Sequence, residues 1–383
     1  MSRKRILVVG MLDSIHTSRW LKQFKDQEID FLIFPSKKFK NVHWNLQELM
    51  ALQNKASFKF ATFSPSNSLH GYWDYFHKVF LARLFQSNFR LNSLRRIVAD
   101  KDFTYIHALE IQGAGYLVDT ALKSIDLKFK FILTNWGSDI YYFQQFSGDR
   151  LKIISALQSA THYSGECKRD YELARNLGFR GEELPCIPNA GGFVIESLDA
   201  AVKTSKRLKI AAKTYGGTFG RGDLVIEALL SVMQKYSQIS VHLYSVTEDL
   251  IENAVALQGF FPNRVTFTST QNSLSPEEMK ELFHESRIYM GASRSDGVST
   301  SFLEALVAGC YPIQTNTSCA SEWTKLGAVA SIVPLEINQI IQQIEKAICD
   351  DELVDRAQIA NREIASKYLN YEFVQNQAFA FYK

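Results

Sequence analysis

Short apolar runs alternate with helix-length stretches along almost the whole chain, and this alternation limits the fold more than any other feature. In the first half the runs are RILVVG (5–10), DFLIFP (30–35), FKFAT (58–62), FTYIHA (103–108) and FKFILTNW (129–136). Stretches with helical spacing separate most of them, at 17–25, 72–98, 111–124 and 166–177. The pattern pauses over 185–207, a polar and basic stretch that reads as a linker, and then restarts. The second set of runs is LKIAAK (208–213), VHLYSV (241–246), VTFTST (265–270), IYMGAS (288–293) and YPIQTN (311–316). Helices are expected between them, including 276–286, where Ser275, Pro276 and Glu278 form a capping sequence, and again at 336–349 and 351–368. A continuous apolar run is what a strand buried on both faces looks like, so each half predicts a parallel sheet covered by helices. The expected class is α/β, with two Rossmann-like domains facing each other across a cleft, the default ligand site.

Composition permits this and excludes other classes. The chain has 383 residues, 46% hydrophobic and 22% charged, which fits two folded domains and no fibrous or disordered protein. No apolar stretch is long enough to span a membrane. The N-terminal MSRKRILVVG reads as a buried strand and not as a signal peptide, because Asp13, His16 and Arg19 follow at once. The five cysteines are odd in number and contain no C-x-x-C pair, which suits a reducing cytoplasm. The net charge of +3 conceals +8 over 1–190 and −5 over 191–383. An excess of cations in one half suits an anionic surface, although solvated charge alone accounts for it as well.

Chemistry concentrates in two loops of the second half. In SRSDGVSTSFLEALVAG (293–309) a strand ends, a glycine-containing loop follows, and a helix runs to Gly309. Asp296 and Glu304 flank the helix start. Amides at a helix N-terminus suit a phosphate, and neighbouring carboxylates suit polyol hydroxyls. Together they describe a sugar nucleotide, whereas an acid pair alone would merely complement the helix dipole. The other loop lies in KIAAKTYGGTFGRGDLVIEAL (209–229). Four glycines fall within Gly216 to Gly222, between Lys213 and Arg221. Glycines allow close backbone approach to a phosphate, and the two cations would hold it, although this is neither a P-loop nor a dinucleotide fingerprint.

The segment DGVSTSFLEALVAG resembles the E-x7-E segment of the family-4 retaining glycosyltransferases of the GT-B fold, with Asp296 in the first acidic place and Glu304 in the second. The Lys213 to Arg221 loop is similar to their Arg and Lys phosphate clamp with the two residue types exchanged. VVGMLDSIHTSRWLKQF (8–24), YIHALEIQGAGYL (105–117), TNWGSDI (134–140) and IPNAGG (187–192) resemble further family segments, in the family's order. The resemblance covers most of the chain. It implies transfer of a sugar from a nucleoside diphosphate donor, UDP in preference to GDP, with retention at the anomeric carbon. The acceptor implied is a glycan or a lipid-linked sugar, as in cell-surface polysaccharide synthesis.

The same resemblance implies residue roles. Asp296 and the adjacent Gly297, Val298 and Ser299 would hold the donor sugar, and Glu304 the ribose. Lys213 and Arg221, with Gly216 and Gly217 in their loop, would hold the diphosphate and stabilise the leaving group. The implied domains are an acceptor domain at 1–190 and a donor domain at 191–369, with the tail 370–383 packing back on the first. No cofactor and no metal is expected, in line with the absence of D-x-D, H-E-x-x-H or clustered metal ligands from the sequence. The chain departs from the family in three places. Asp296 replaces a Glu, Trp136 stands where a His is common, and Asp13-Ser14-Ile15-His16 replaces a glycine pair. His16, Arg19, His107, Glu110 and Trp136 are the candidates for the acceptor side, with a core role open for His107 and a surface role for His16 and Arg19.

Two other functions remain compatible with these residues. A GT-B sugar-nucleotide epimerase would use cleft acids and histidines such as Glu110 and His107 and would need no acceptor. A nucleotide-binding module would bind the donor without turnover. Binding of nucleic acid is not expected, since no RNA-binding motif is present. A helix over 72–98 would gather Trp73, Phe76, Phe80, Leu84, Leu91, Leu94 and Val98 on one stripe, with Lys78, Phe85, Phe89 and Arg96 opposite. Cations interleaved with aromatics on an outward face suit peripheral contact with an anionic membrane on its cytoplasmic side.

Overall fold

The computed structural model describes residues 3–52, 54–61, 89–100, 102–123, 125, 130–195 and 202–383. These residues form two compact units, one of Met1–Ala190 with Gln377–Lys383 and one of Gly191–Asn376.

The first unit is built on a seven-stranded parallel sheet in the order β3-β2-β1-β4-β5-β6-β7. Its elements are β1 (Lys4–Gly10), α1 (Ile15–Lys22), β2 (Ile29–Pro35), α2 (Trp44–Ala51), β3 (Ser57–Phe60), α3 (89–100), β4 (Tyr105–Leu109), α4 (Tyr116–Leu122), β5 (Lys130–Thr134), α5 (Ser147–Ser159), β6 (His162–Ser164), α6 (Lys168–Asn176) and β7 (Glu182–Glu183). Central strands β1, β4 and β5 are apolar because both faces are covered, and Ile6 to Val9, Ile106 and Phe131 to Leu133 are all inaccessible to solvent. The strand order reverses direction between β1 and β4, which opens a crevice at their carboxyl ends.

The second unit repeats the plan with six parallel strands in the order β10-β9-β8-β11-β12-β13. Its elements are β8 (Lys209–Lys213), α7 (Gly222–Lys235), β9 (Ser240–Val246), α8 (Ile251–Phe260), β10 (Val265–Ser269), α9 (Pro276–Glu285), β11 (Ser286–Gly291), α10 (Thr300–Ala308), β12 (Tyr311–Thr315), α11 (Ala320–Lys325), β13 (Ser331–Val333), α12 (Ile337–Cys349), α13 (Asp351–Tyr368) and α14 (Tyr371–Phe379). The capping sequence before α9 works as its chemistry dictates. Ser275 Oγ accepts from the Glu278 amide, and the Glu278 carboxylate accepts from the Ser275 amide at 2.7 Å. Here the switch point lies between β8 and β11.

Several expectations change. The stretch at 111–124 is not one helix, because a wide turn at Ile111–Gly115 precedes α4. Helices α2 and α5 and the short strands β6, β7 and β13 were not expected from periodicity. Helix α5 buries only Ile153, Ala156 and Leu157 while Leu151 stays exposed, so its apolar residues mark no clean stripe. The supposed linker ends early. Within 202–207, Thr204 and Arg207 are buried, and the Arg207 guanidinium donates to the carbonyls of Val202, Ser286 and Ala308. Its cation marks a buried anchor of the second unit and not a solvated connection. Of the 72–98 helix, 72–88 lies outside the described residues. Within α3, Leu94 and Val98 are buried and Phe89 and Arg96 exposed, as the periodicity requires.

The terminal residues complete the first unit's core. Tyr382 Oη accepts from Trp20 Nε1 at 3.1 Å and lies 2.7 Å from His107 Nδ1. His107 Nε2 lies 2.6 Å from Thr134 Oγ1. One tautomer satisfies this chain, with Tyr382 donating to Nδ1 and Nε2–H donating to Thr134. Burial favours the same neutral form and lowers the His107 pKa from 6.5 to about 3. A folded pKa below the unfolded one means stability present above pH 6.5 and lost as pH falls toward 3. In denaturant titrations from pH 6 to pH 4, the native chain should lose about 1.4 kcal/mol per pH unit more than a His107→Gln variant. Parallel curves for the two proteins would show that His107 is not the titrating group.

Candidate functional site

The site in the second unit begins where β8 and β11 end. Past β11, the chain runs through Ser293 to Ser299 into α10; past β8 it runs through the four-glycine loop into α7. One antiparallel bridge, made of two backbone hydrogen bonds, joins the two loops. It pairs Gly220 with Ser293: the Arg221 amide donates to Ala292 O at 3.1 Å, and the Arg294 amide donates to Phe219 O at 2.7 Å. The glycine loop and the acidic loop are therefore held together at the carboxyl edge, where an α/β sheet binds ligands.

Lys213, the last residue of β8, points its ammonium at the start of α10, with Nζ 3.4 Å from Ser299 Oγ. Ser299 is the N-cap residue, yet its side chain does not cap the helix. Its Oγ instead lies 3.3 Å from Tyr289 Oη, which donates to Gln314 Oε1 at 2.9 Å. The first intrahelical bond runs from the Leu303 amide to Ser299 O. The amides of Thr300, Ser301 and Phe302 therefore precede it, the arrangement that makes a helix start attractive to anions. The loop before them is fixed by the Asp296 amide donating to Thr317 O and the Cys319 amide donating to Gly297 O. Asp296 in the loop and Glu304 in the second turn of α10 are half-buried, and Val298 is buried.

The amides of the glycine loop bond within the protein. Gly216 N–H donates to Thr247 Oγ1 at 2.9 Å, and Gly217 N–H donates to the Asp249 carboxylate at 3.2 Å. Gly220 N–H bonds Gly216 O, and Gly222 N–H bonds Tyr215 O. All four glycine amides thus have protein acceptors. The glycines allow close packing. A Cβ on Gly216 would lie 2.2 Å from Asp249 Oδ2, and one on Gly220 would lie 2.0 Å from Tyr215 O. Gly217 adopts φ +68°, where a side chain is strained. Arg221 also has its own partner, since Nε and Nη2 engage Asp223 at 2.8–3.1 Å. That bond raises the Arg221 pKa and lowers that of Asp223.

In the first unit, the expected acceptor-side residues separate into four groups. His16 and Trp136 meet edge to face, with ring centroids 5.5 Å apart. His16 Nδ1 lies 3.3 Å from Asn189 O. Glu166, which the sequence did not suggest, accepts from the amides of Gly137 and Asn189 at 3.1 and 3.0 Å and so ties the Trp136 loop to the end of the unit. Glu110 stands apart with φ +97°, an orientation rare for any residue but glycine. Its carboxylate accepts from the amides of Gly113 and Ala114 at 2.7 and 2.6 Å. Asp139 accepts from Ile111 and Trp136 in the same way. Burial raises both carboxyl pKa values, and for Asp139 the Glu110 charge adds to the rise. These two acids shape loops. Arg19 is half-buried, and its charge, after burial, lowers the pKa of His43. His107 is the core histidine described above, with both nitrogens bonded, and it reaches no loop.

No family model matches the sequence, and no curated protein sequence matches it. Solved structures do match in fold. HepE of Anabaena, crystallised with UDP and glucose, is 14% identical over 98% of both chains, with a TM-score of 0.69. TarM of S. aureus, crystallised with UDP, fondaparinux and α-GlcNAc-glycerol, is 11% identical over 99% of this chain and 100% of that one, at 0.70. Sucrose-phosphate synthase of Thermosynechococcus elongatus is 12% identical over 99% and 98%, at 0.66. With two parallel α/β units of seven and six strands, the chain has the two-domain Rossmann-like GT-B fold that these proteins share.

Proposed function

We propose that this protein is a retaining glycosyltransferase that moves a hexosyl group from a UDP-sugar to a glycan or lipid-linked acceptor, in the synthesis of a cell-surface polysaccharide or glycan. The observation that carries this reading is Lys213 aimed at the uncapped start of α10, at the β8/β11 switch point, with Asp296 in the loop before that helix and Glu304 in its second turn. A cation facing helix amides suits a diphosphate, and two carboxylates beside it suit sugar hydroxyls. HepE and TarM, which share the fold, were crystallised with UDP, and this favours UDP as the donor nucleotide.

In this reading the donor sugar lies against Asp296, Gly297, Val298 and Ser299, and the ribose hydroxyls bond Glu304. As the anomeric C–O bond breaks, charge grows on the departing diphosphate. Lys213 and the α10 amides oppose that charge without reorganising, which is the largest kind of catalytic contribution. Arg221 joins them by sharing the guanidinium now held on Asp223. The acceptor hydroxyl attacks from the leaving-group face and passes its proton to the departing phosphate oxygen, which gives retention with no metal. His16, Arg19, Glu110 and Trp136 of the first unit are the acceptor-side candidates in this reading.

Membrane contact belongs to the same reading. The sequence reading assigns it to 72–98, of which 72–88 lies outside the described residues, and a second segment, fully described, adds to it. Lys37, Lys38, Phe39, Lys40 and Trp44 are all exposed within the loop after β2 and the start of α2, with Trp44 58% accessible. Arg90 Nη1 donates to Ser36 O, which brings α3 and exposed Phe89 beside this loop. Lysines flanking aromatics suit an anionic lipid interface at about 1 kcal/mol per cation.

Two outcomes test this function. Calorimetry with UDP should show Glu304→Gln weakened about 10- to 100-fold, the value of a charged hydrogen bond, while Asp296→Asn keeps its UDP affinity and loses turnover. Turnover should persist in EDTA. Unchanged UDP affinity in Glu304→Gln would remove it from the ribose, and loss of activity in EDTA restored by magnesium would overturn the metal-free scheme. Separately, the native protein should float with vesicles rich in phosphatidylglycerol, and a Lys37→Glu, Lys38→Glu, Lys40→Glu variant should float far less. Equal flotation would end the membrane assignment for this loop.

A further inference from the structure

The four-glycine loop uses its amides internally, so its glycines serve some purpose other than cradling phosphate. Three observations identify that purpose with Tyr215. The Lys213 ammonium sits over the Tyr215 ring, 4.9 Å from the centroid. A Cβ on Gly220 would lie 2.6 Å from Tyr215 Cδ2 and 2.5 Å from its carbonyl carbon, and one on Gly222 would lie 2.9 Å from the Tyr215 amide nitrogen. Gly222 N–H also bonds Tyr215 O at 2.9 Å. The loop is thus wrapped around one aromatic residue and leaves no volume for side chains where it passes that residue.

We infer that Tyr215 is a positioning residue for Lys213, its ring face fixing the ammonium toward the start of α10 so that Lys213 meets the donor diphosphate already oriented. This rests on the donor site proposed above and adds to it the residue that aims its cation. A lysine side chain has four rotatable bonds and loses rotamer freedom when it must occupy one place. A π-face beside the β8 terminus favours the single position from which Nζ also reaches Ser299 Oγ. The hydroxyl end fits the same arrangement. Burial and then the Asp296 charge raise the Tyr215 pKa, so the phenol stays protonated and neutral next to that acid. Tyr215 therefore stands within the electrostatic reach of both Lys213 and Asp296 while carrying no charge that would neutralise either.

The test is a double-mutant cycle read by UDP affinity, with uridine as the control lacking phosphates. Tyr215→Leu should weaken UDP about tenfold and leave uridine unchanged, within the range of a partly desolvated cation–π contact. Lys213→Met should weaken UDP by at least as much. The double variant should bind UDP within about twofold of Lys213→Met alone, because the ring acts through the ammonium. Tyr215→Phe, which keeps the ring, should stay within about threefold of the native protein. If Tyr215→Leu does not fold, Tyr215→Met replaces it with similar volume and no π-face. Multiplicative losses in the double variant, or a Tyr215→Phe loss equal to that of Tyr215→Leu, would overturn the positioning role and leave the donor site standing. No UDP binding by the native protein would instead overturn the donor site itself, and this inference with it.

Discussion

The site in the second unit depends on the stitch between its two loops. The bridge between Gly220 and Ser293, made by the bonds from Arg221 N–H to Ala292 O and from Arg294 N–H to Phe219 O, holds the ends of β8 and β11 in register beyond the sheet. A parallel sheet alone would leave these loops diverging at the switch point, since each strand's connection leaves toward a different side. Because they are joined, Lys213 on one strand and the start of α10 after the other come within hydrogen-bond range. The close approach requires a residue without a side chain at Gly220, where a Cβ would strike the Tyr215 carbonyl. The glycine, the bridge and the aimed lysine are one arrangement.

Backbone accounting then separates two uses of glycine that look alike in sequence. A phosphate loop leaves its amides pointing at empty space, and buried amides must otherwise find protein acceptors. In this loop, Thr247 and Asp249 from the segment after β9 provide acceptors for Gly216 and Gly217. At α10, by contrast, the N-cap side chain is turned away from its own helix toward Lys213 and Tyr289. Two separate helix starts border the crevice, and only the second has this arrangement.

The sequence made the architecture and the acidic turn visible because both rest on local pattern. Apolar runs gave β1, β4, β5, β8, β11 and β12. The helix after Asp296 was bounded by Gly309, which adopts φ +75° and ends α10 as a left-handed cap. The capping sequence at Ser275 was equally local. What stayed hidden depended on partners distant in the chain. The Gly216 and Gly217 acceptors come from more than 30 residues away. Tyr382, which fixes the neutral tautomer of His107, lies 275 residues away. Arg207 looked like linker charge because two of its three carbonyl partners, Ser286 and Ala308, are brought to it only by the fold. Short strands such as β7 and β13 carry too few residues to show a period at all.

The most direct test of the account is the structure of the protein with UDP bound. The diphosphate should lie against the first turn of α10 with Lys213 on it and the ribose on Glu304, while the amides of Gly216 and Gly217 keep Thr247 and Asp249 as acceptors. A diphosphate seated on those glycine amides with Asp249 displaced, or a nucleotide bound away from the β8/β11 edge, would contradict it.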